Sequence, residues 1–271
     1  IRDLLEKHYK DMQDLEFTIQ EGKLYMLQTR TGKRTIFSWL KTQVEMVKEG
    51  LIDKKTAVSR VPANEFGKLF APILDPEDIA SKGVTEVAKG LNASPGGASG
   101  VAVYTAHEAE EFAAQGKDVI LVRIETSPED IGGMAVAKGV LTARGGMTSH
   151  AAVVARGMGC PCVSGAGDLK INYKAKLMKV GGLTIKQGDY ISIDGFTGQI
   201  YASEIAVKPS EIVQVLNGEM QEADSDLFKD YNTFMSYADE LRKLKIRTNA
   251  DTPADTEMAV KFGAEGIGLC R

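Results

Sequence analysis

The stretch TARGGMTSHAAVVARGMG, from Thr142 to Gly159, carries the strongest structural signal in the sequence. It begins at the end of an apolar run, passes through the pair Gly145-Gly146, and continues with the small and apolar residues of a helix. Ser149 is a favourable N-cap, so the helix is predicted to begin at His150 or Ala151. The sequence therefore predicts a strand, a glycine turn and a helix, with an imidazole in the first helical turn.

This position favours a histidine that receives an anionic group. The unpaired N–H groups and the dipole at a helix N-terminus attract an anion and disfavour imidazolium. From Gly139 to Gly167 the sequence has no Asp or Glu, although 37 of its 271 residues are acidic, and Arg144 and Arg156 flank the glycine turn and the helix. His150 could instead be an ordinary capping or core histidine. The glycine pair, the Thr-Ser couple and the acid-free window together favour a phosphoryl acceptor.

On either side of this stretch, alternating strand and helix patterns predict an α/β domain. Small and turn residues in ASPGGASG, just after Asn92, mark its start. The segment from Thr105 to Glu108 fits a capping box, and Ser127 to Asp130 fits a helix start with two first-turn acids. VILVRI and VLTA are predicted to be buried strands, and short strands with glycine turns are predicted from Lys170 to Tyr201.

The N-terminal region is predicted to contain a β-hairpin followed by helices. LEFTIQ and KLYMLQT alternate in hydrophobicity on either side of Glu21-Gly22, which is typical of a hairpin. The alternation places Glu16 on one face and Phe17 on the other. A helical stripe in FSWLKTQVEMVKEG follows and is predicted to end at Gly50.

The C-terminal region is predicted to be helical and charged up to Leu244, as in a connecting arm. Residues 245–271 then fit strand, helix and strand, which is the opening βαβ unit of a parallel sheet or barrel. The sequence begins without Met and stops directly after the strand-like run GIGLC, so we expect a fragment of a longer protein.

The composition disfavours several classes of protein. With 33 basic and 37 acidic residues, the chain lacks the basic excess that non-specific nucleic-acid binding needs. No apolar run reaches the roughly 18 residues of a membrane-spanning helix, so neither nucleic acid nor a membrane is an expected partner. Cys160, Cys162 and Cys270 are too few for a disulfide framework, and buried structural thiols are favoured over a metal site.

The motif GGMTSHAAVVARGMG closely resembles the phosphohistidine motif of the pyruvate phosphate dikinase family, with His150 at the phosphorylated position. The pair Met147-Thr148 resembles this family rather than phosphoenolpyruvate synthase, which typically has Arg-Thr-Cys before the histidine, or enzyme I of the sugar phosphotransferase system, which has Arg-Thr-Ser. DLEFTIQEGKLYMLQTRTGKRT resembles the last strands of the family's ATP-grasp domain. NADTPADTEMAVKFGAEGIGLCR resembles the start of its phosphoenolpyruvate-binding barrel, so the resemblance covers the whole chain.

The resemblance implies an α/β fold in five parts. These are the C-terminal edge of an ATP-grasp nucleotide-binding domain (1–34), a helical subdomain (35–90), a swivelling β/β/α phosphohistidine domain (91–206), a helical linker (207–244) and the start of a TIM-type phosphoenolpyruvate/pyruvate-binding barrel (245–271). In the family the histidine domain swings between two distant sites. The corresponding hinges are expected near Asn92 and after Ala206.

The resemblance also implies a phosphotransferase that interconverts ATP, orthophosphate and pyruvate with AMP, pyrophosphate and phosphoenolpyruvate through a tele-phosphohistidine at His150. Residues that would support the phosphate are Arg144, Gly145, Gly146, Thr148 and Ser149. Residues that would bind the nucleotide and Mg²⁺ are Asp14, Glu16, Gln28 and Arg30, with Glu16 and Gln28 as the metal ligands in the complete ATP domain. Arg271 would bind substrate phosphate.

Two further functions stay open: phosphoenolpyruvate synthase, and a phosphocarrier module phosphorylated by a separate partner. In plant members of the family the residue equivalent to Thr148 is reversibly phosphorylated, whereas contact with the phosphoryl group or support of the turn is the interpretation we favour here. The resemblance implies a homodimer in the cytoplasm or in an organelle matrix of plastid or glycosome/peroxisome type. The fragment alone is not expected to be fully active.

Overall fold

The computed structural model describes residues 1–270, which divide into two compact units. One unit combines residues 1–69 with the chain from Glu211 onward, and the other comprises Phe70–Ser210. The α/β class predicted from the sequence is confirmed, because the second unit is built around an eight-stranded mixed sheet.

The first unit begins with a hairpin and helices: α1 (Arg2–Tyr9), β1 (Gln13–Gln20), β2 (Lys23–Thr31), α2 (Ile36–Lys48) and α3 (Lys54–Arg60), followed by a 3₁₀-helix (Ala63–Phe70). The hairpin predicted from the sequence is confirmed. Its turn residues Glu21 and Gly22 both have positive φ, 52° and 74°, which matches the twist of the flanking strands. Thr35 caps α2, and the helix ends at Lys48, two residues before Gly50.

The second unit contains β3 (Ile73–Leu74), α4 (Pro76–Lys82), β4 (Ala88–Lys89), β5 (Leu91–Ser94), β6 (Gly97–Val103), α5 (Ala106–Ala114), β7 (Val119–Arg123), α6 (Ile131–Val136), β8 (Gly139–Thr142), α7 (His150–Met158), β9 (Cys162–Ser164), β10 (Lys170–Asn172), β11 (Leu177–Val180), β12 (Leu183–Lys186), β13 (Tyr190–Asp194), β14 (Gln199–Tyr201) and β15 (Val207–Lys208). A 3₁₀-turn (Pro128–Asp130) precedes α6. The capping box predicted at Thr105 is present, and the helix start predicted at Ser127 also has a capping box.

The eight-stranded sheet has the order β4-β14-β13-β6-β7-β8-β9-β5. Strands β6 to β9 are parallel, and the flanking pairs are antiparallel. The two outermost strands, β4 and β5, are consecutive in the chain and are separated only by Gly90. A Cβ atom at Gly90 would lie 2.7 Å from Val163 Cγ1 and 2.8 Å from the carbonyl oxygen of Ser164. The chain therefore closes this sheet on itself at a position that has no room for a side chain.

The parallel strands are buried on both faces, as their continuous apolar runs predict. On one face, Val119 and Leu121 of β7 share a core with Ala152 and Ala155 of α7. On the other face, Ile120 and the rest of its cluster pack with the separate three-stranded sheet β10-β11-β12. Because β7 and β8 run in parallel, the segments that follow them leave the sheet at the same edge, where α7 begins.

The remaining helices belong to the first unit: α8 (Glu211–Asn217), a 3₁₀-turn (Glu222–Asp224), α9 (Asp226–Leu241) and α10 (Pro253–Lys261). The helical character predicted up to Leu244 is confirmed as far as the end of α9. Phe234 of α9 is 2% exposed and its ring centroid lies 5.6 Å from that of Phe66. Lys54 Nζ lies 2.7 Å from a carboxylate oxygen of Glu240. Helix α9 is thus packed within its unit.

The two strands predicted around α10 are wrong in extent. Within residues 245–270, the described part of this region, strand pairing is limited to one parallel bridge between Thr248 and Ile267. Parallel strands are stable when both faces are covered, whereas Ile246 is 55% exposed and Leu269 is 44% exposed. Across residues 1–270, no helix combines the length and the apolar character that a membrane crossing requires.

Candidate functional site

His150 is the first residue of α7, as predicted. Ser149 caps the helix, and its Oγ accepts a hydrogen bond from the backbone N–H of Ala152 at 3.4 Å. The half-buried imidazole is held by Thr126, whose Oγ1 lies 3.0 Å from His150 Nδ1. When Nδ1 carries the proton and donates it to Thr126, Nε2 keeps its lone pair. In that tautomer, Nε2 is the nitrogen available for bond formation.

The glycine pair before α7 has unequal requirements. Gly145 has φ +114°, and a Cβ atom there would lie 2.9 Å from the Oγ of Ser149. Gly146 has a negative φ and nothing within 4 Å of its ideal Cβ position. Only Gly145 is needed for the backbone conformation, whereas the missing side chain of Gly146 leaves open space beside the exposed turn.

The two arginines of the acid-free window differ in role. Arg144 is exposed, and its guanidinium group has no partner among residues 1–270. Arg156 instead braces the turn, because its Nη2 donates to the carbonyl oxygen of Met147 at 2.6 Å and its Nη1 to that of Ala93 at 3.3 Å. Of the two arginines, Arg144 is therefore the one whose guanidinium group is available to a bound anion.

Two further predicted phosphate-supporting residues lie directly before His150. Thr148 is exposed, and its hydroxyl group has no hydrogen-bond partner in the described part of the chain. Ser149 is already engaged, because its N–H donates to the carbonyl oxygen of Gly146 at 3.0 Å and its Oγ caps α7. Thr148 thus has a free hydroxyl to offer, whereas Ser149 shapes the helix start.

Thr126 is a site residue that the sequence patterns do not predict. It is 8% exposed and lies 24 residues before His150 in the chain. The signal that could have found it is its place just after β7, because the carboxyl ends of neighbouring parallel strands collect functional side chains. Asp130, predicted as a first-turn helix acid, does close a capping box, but it also lies 3.2 Å from Arg123 Nε.

The hairpin brings together the four side chains predicted to bind nucleotide and metal. Asp14 pairs with Arg30 across the two strands, and Glu16 pairs with Gln28, so all four share one face. Arg30 lies 2.8 Å from Asp14 and 3.4 Å from Glu16. Within residues 1–270, no three His, Cys, Asp or Glu side chains are placed to hold a metal ion. Glu16 and Gln28 offer two oxygen donors, which suits a Mg²⁺ ion that takes its other ligands from phosphates and water.

The other histidines and the cysteines are not assigned to this site. His8 and His107 are exposed, and Cys160 and Cys162 are buried. Burial raises the pKa of the Cys160 thiol to about 11 and that of Cys162 to about 12, in keeping with structural thiols. Arg271 lies outside the described residues.

Three family comparisons cover most of the chain. Residues 1–50 match "Pyruvate phosphate dikinase, AMP/ATP-binding domain", residues 115–198 match "PEP-utilising enzyme, mobile domain", and residues 225–271 match "PEP-utilising enzyme, PEP-binding domain". Among solved structures, the chain aligns with the NMR solution structure of Enzyme I (nEIt) protein at 26% identity, over 39% of this chain and 37% of that one. The TM-score of 0.23 is too low to support a structural argument.

Curated relatives align with nearly the entire chain. It is 53% identical to "Pyruvate, phosphate dikinase" of Clostridium symbiosum over 98% of its length, and 50% identical to the protein of that name from Rhizobium meliloti (strain 1021), also over 98%. It is 50% identical over 99% of its length to "Pyruvate, phosphate dikinase, chloroplastic" of Flaveria pringlei. The chain spans only 29%, 28% and 26% of these relatives. It therefore belongs to the pyruvate, phosphate dikinase family and corresponds to a stretch that includes parts of three of the family's domains.

Proposed function

We propose that this chain is the phosphoryl-carrying part of an enzyme that interconverts ATP, orthophosphate and pyruvate with AMP, pyrophosphate and phosphoenolpyruvate. His150 is the carrier residue. The observation that supports this most directly is the contact between Thr126 Oγ1 and His150 Nδ1 at the start of α7, which leaves Nε2 as the nucleophile.

In the proposed transfer from phosphoenolpyruvate, the lone pair of His150 Nε2 attacks phosphorus and the bond from phosphorus to the enol oxygen breaks. The Nδ1 proton stays on the imidazole and is hydrogen-bonded to Thr126 Oγ1. This hydrogen bond stabilises the positive charge that develops on the ring. The leaving enolate is protonated to give pyruvate. In the opposite half of the reaction the histidine takes a pyrophosphoryl group from ATP, and orthophosphate removes the outer phosphoryl group as pyrophosphate.

The groups around His150 suit this chemistry in charge. Backbone N–H groups at the start of α7, the free hydroxyl of Thr148 and the unpaired guanidinium of Arg144 all favour a phosphoryl group beside the ring. Gly145 and Ser149 set the turn that holds them. We favour phosphoryl contact for Thr148 over support of the turn, because its hydroxyl makes no contact within the turn.

We propose that the β1–β2 hairpin carries the residues that bind the nucleotide. Glu16 and Gln28 would hold Mg²⁺ together with ATP phosphates, and Arg30, with Asp14 beside it, would face the phosphates. When bound, the metal ion would neutralise phosphate charge. Arg271 is proposed to bind substrate phosphate, and the whole enzyme is proposed to be a homodimer.

We also propose the domain division expected from the sequence: the edge of an ATP-grasp domain (1–34), a helical subdomain (35–90), a swivelling phosphohistidine domain (91–206), a helical linker (207–244) and the start of a barrel (245–271). The match of residues 115–198 to a mobile domain supports the swivelling part. The match of residues 225–271 to a PEP-binding domain supports the last part.

Incubation with labelled phosphoenolpyruvate tests the proposal in the longer polypeptide that contains this chain. An acid-labile phosphate should appear on His150 and disappear in His150→Asn. The matched control is His107→Asn, since the His107 side chain is 77% exposed and lies outside the site. If the His150→Asn enzyme still completed the overall reaction, the proposal would fail; if orthophosphate and pyrophosphate were not substrates, a phosphoenolpyruvate synthase reaction would replace it.

A further inference from the structure

Thr126, which contacts His150, sits in a segment that is anchored on both sides. Before it, the backbone N–H of Ile124 donates to the hydroxyl oxygen of Tyr173 at 2.7 Å. After it, the N–H of Ser127 donates to Asp130 Oδ2 at 2.9 Å. Each anchor is only one or two residues from Thr126, so each limits where its hydroxyl group can lie.

The two anchors are joined by Arg123. Its Nε lies 3.2 Å from Asp130 Oδ1, and its guanidinium carbon lies 4.9 Å from the centre of the Tyr173 ring. Its Nη1 also donates to the carbonyl oxygen of Tyr104 at 3.0 Å, which fixes the group to the end of β6. Asp130 is 4% exposed, so its carboxylate is held in place rather than solvated.

This network is more than a helix start needs. A capping box requires an acid in the first turn, but it does not require that acid to be buried against an arginine. The hydroxyl group of Tyr173, which accepts the hydrogen bond from the Ile124 N–H, comes from a different part of the chain, 49 residues from Ile124. Both contacts converge on the short segment that carries Thr126.

We propose that Asp130 and Tyr173 are positioning residues that hold Thr126 Oγ1 against His150 Nδ1 and so keep Nε2 as the reactive nitrogen. The inference rests on the proposed function of His150 and deepens it. Its physical basis is that a hydrogen bond of 3.0 Å weakens steeply with small displacements of either atom. A segment held at both ends keeps that geometry in the resting protein, before any phosphoryl donor arrives.

Histidine-selective ¹⁵N labelling of the chain tests the positioning directly, because the sequence contains only His8, His107 and His150. Spectra recorded at about pH 8.5, above the ordinary histidine pKa of about 6.5, report which ring nitrogen carries the proton. In the wild type, His150 should show a protonated Nδ1. In the variants Asp130→Asn and Tyr173→Phe, the ¹⁵N signals of the His150 ring should shift towards those of exposed His8. Thr126→Val removes the contacting hydroxyl group, so it gives the shift expected when the contact is lost completely.

Two matched controls make the same chemical changes elsewhere. Glu129→Gln neutralises the exposed neighbour of Asp130, and Tyr190→Phe removes the hydroxyl of an exposed tyrosine. Both should leave the His150 signals as in the wild type. Tyr173→Phe retains the aromatic ring and its packing, so this variant still tests the proposal if Asp130→Asn does not fold.

A kinetic readout uses phosphoramidate as a small donor that needs no other domain. Nε2 attacks its phosphorus, the phosphorus–nitrogen bond breaks, and ammonia leaves while Nδ1 keeps its proton. Relative to the wild type, Asp130→Asn and Tyr173→Phe should each lower the rate of His150 phosphorylation about fivefold, which is the effect of losing one hydrogen bond.

Folded Asp130→Asn and Tyr173→Phe chains with wild-type ring-nitrogen signals would overturn the positioning roles, whatever their phosphorylation rates. Shifted signals with a slower transfer would support them. Failure of the proposed function looks different: His150 of the wild type would then stay unphosphorylated by phosphoenolpyruvate in the longer polypeptide, while the ¹⁵N signals would still report whether Thr126 is held in place.

Discussion

The three cysteines should differ sharply in reactivity. Cys160 and Cys162 are buried, and burial raises their pKa values to about 11 and about 12, whereas Cys270 is exposed. Alkylation requires an accessible thiolate, so iodoacetamide at about pH 8 should modify only Cys270 in the native chain. Mass spectrometry of peptides checks this, with the urea-denatured chain as the control in which all three react. Native modification of Cys162 at the rate of Cys270 would contradict the buried placement.

Gln43 of α2 should be a site where a polar residue weakens the fold. Its side chain is 0% exposed, and neither its Oε1 nor its Nε2 has a hydrogen-bond partner among residues 1–270. Replacement by methionine, which has a similar length, should raise the free energy of unfolding by about 1 kcal/mol, because an unsatisfied buried amide is removed. Urea denaturation measures this. Gln43→Glu is the opposing control and should be destabilising; a methionine variant weaker than the wild type would show that the amide is satisfied.

Single residues were predictable from sequence where their signal is local. The cap at Ser149, the capping box at Thr105 and the hairpin turn all depend on neighbours within a few positions, and each is confirmed. Thr126 could not be found this way, because its contact with His150 depends on β7 lying beside β8. The role of Arg156 was missed for the same reason, since it reaches Ala93 in a strand 63 residues away.

At the scale of elements, glycine is the residue whose role is hardest to predict. The composition of ASPGGASG predicts a turn-rich boundary, yet most of it lies in β5 and β6. A Cβ atom at Gly100 would lie 2.6 Å from the carbonyl oxygen of Asp118, so this glycine permits close packing rather than a turn. Sequence alone does not separate these two uses of glycine, because the approaching backbone comes from elsewhere in the chain.

The start of α5 should make stability depend on pH. Burial acts to raise the pKa of Glu108, but Lys176 at 2.8 Å and the backbone N–H groups of Tyr104 and Thr105 outweigh it and hold the pKa below its ordinary value of 4.5. A carboxylate with a lowered folded pKa stabilises the fold above the unfolded value, and this contribution is lost as pH falls through the folded pKa. The stability gap between the wild type and Glu108→Gln should therefore narrow from about pH 5 to about pH 3.

Urea unfolding at several pH values measures that gap. Glu110→Gln makes the same change on an exposed position of α5 and should follow the wild-type curve throughout. A gap for Glu108→Gln that stays constant over the acidic range would show that the ion pair with Lys176 does not contribute.

At the scale of the whole molecule, the second unit should be stable by itself, and its limits should matter. A chain of residues 70–210 keeps β3 paired with β15, β4 paired with β14, and Leu74 packed with Tyr201 and Ile205. A chain of residues 91–206, the domain expected from the sequence, lacks β3, β4 and β15. The longer chain should unfold cooperatively, and its free energy of unfolding should be higher by about 2 kcal/mol or more, because the loss of the buried Leu74 side chain would by itself cost about that much.

Circular dichroism is the suitable probe for both chains, because the single tryptophan of the protein, Trp39, lies outside them. Each chain retains Thr126 and His150, so any difference between them reflects the outer strands. Equal stability of the two chains would show that the domain expected from the sequence is complete and that the added strands are peripheral.

The closure of the eight-stranded sheet through Gly90 has a consequence for the protein's behaviour in a crowded cell. An open sheet presents unpaired N–H and C=O groups that recruit strands from other chains, which is a route to aggregation. Here one continuous segment, residues 88–94, pairs with β14 at its start and with β9 at its end. Neither border is left as a template for strand addition. A side chain at position 90 would collide with Val163 and with the carbonyl oxygen of Ser164, so the covering of both borders depends on a single glycine.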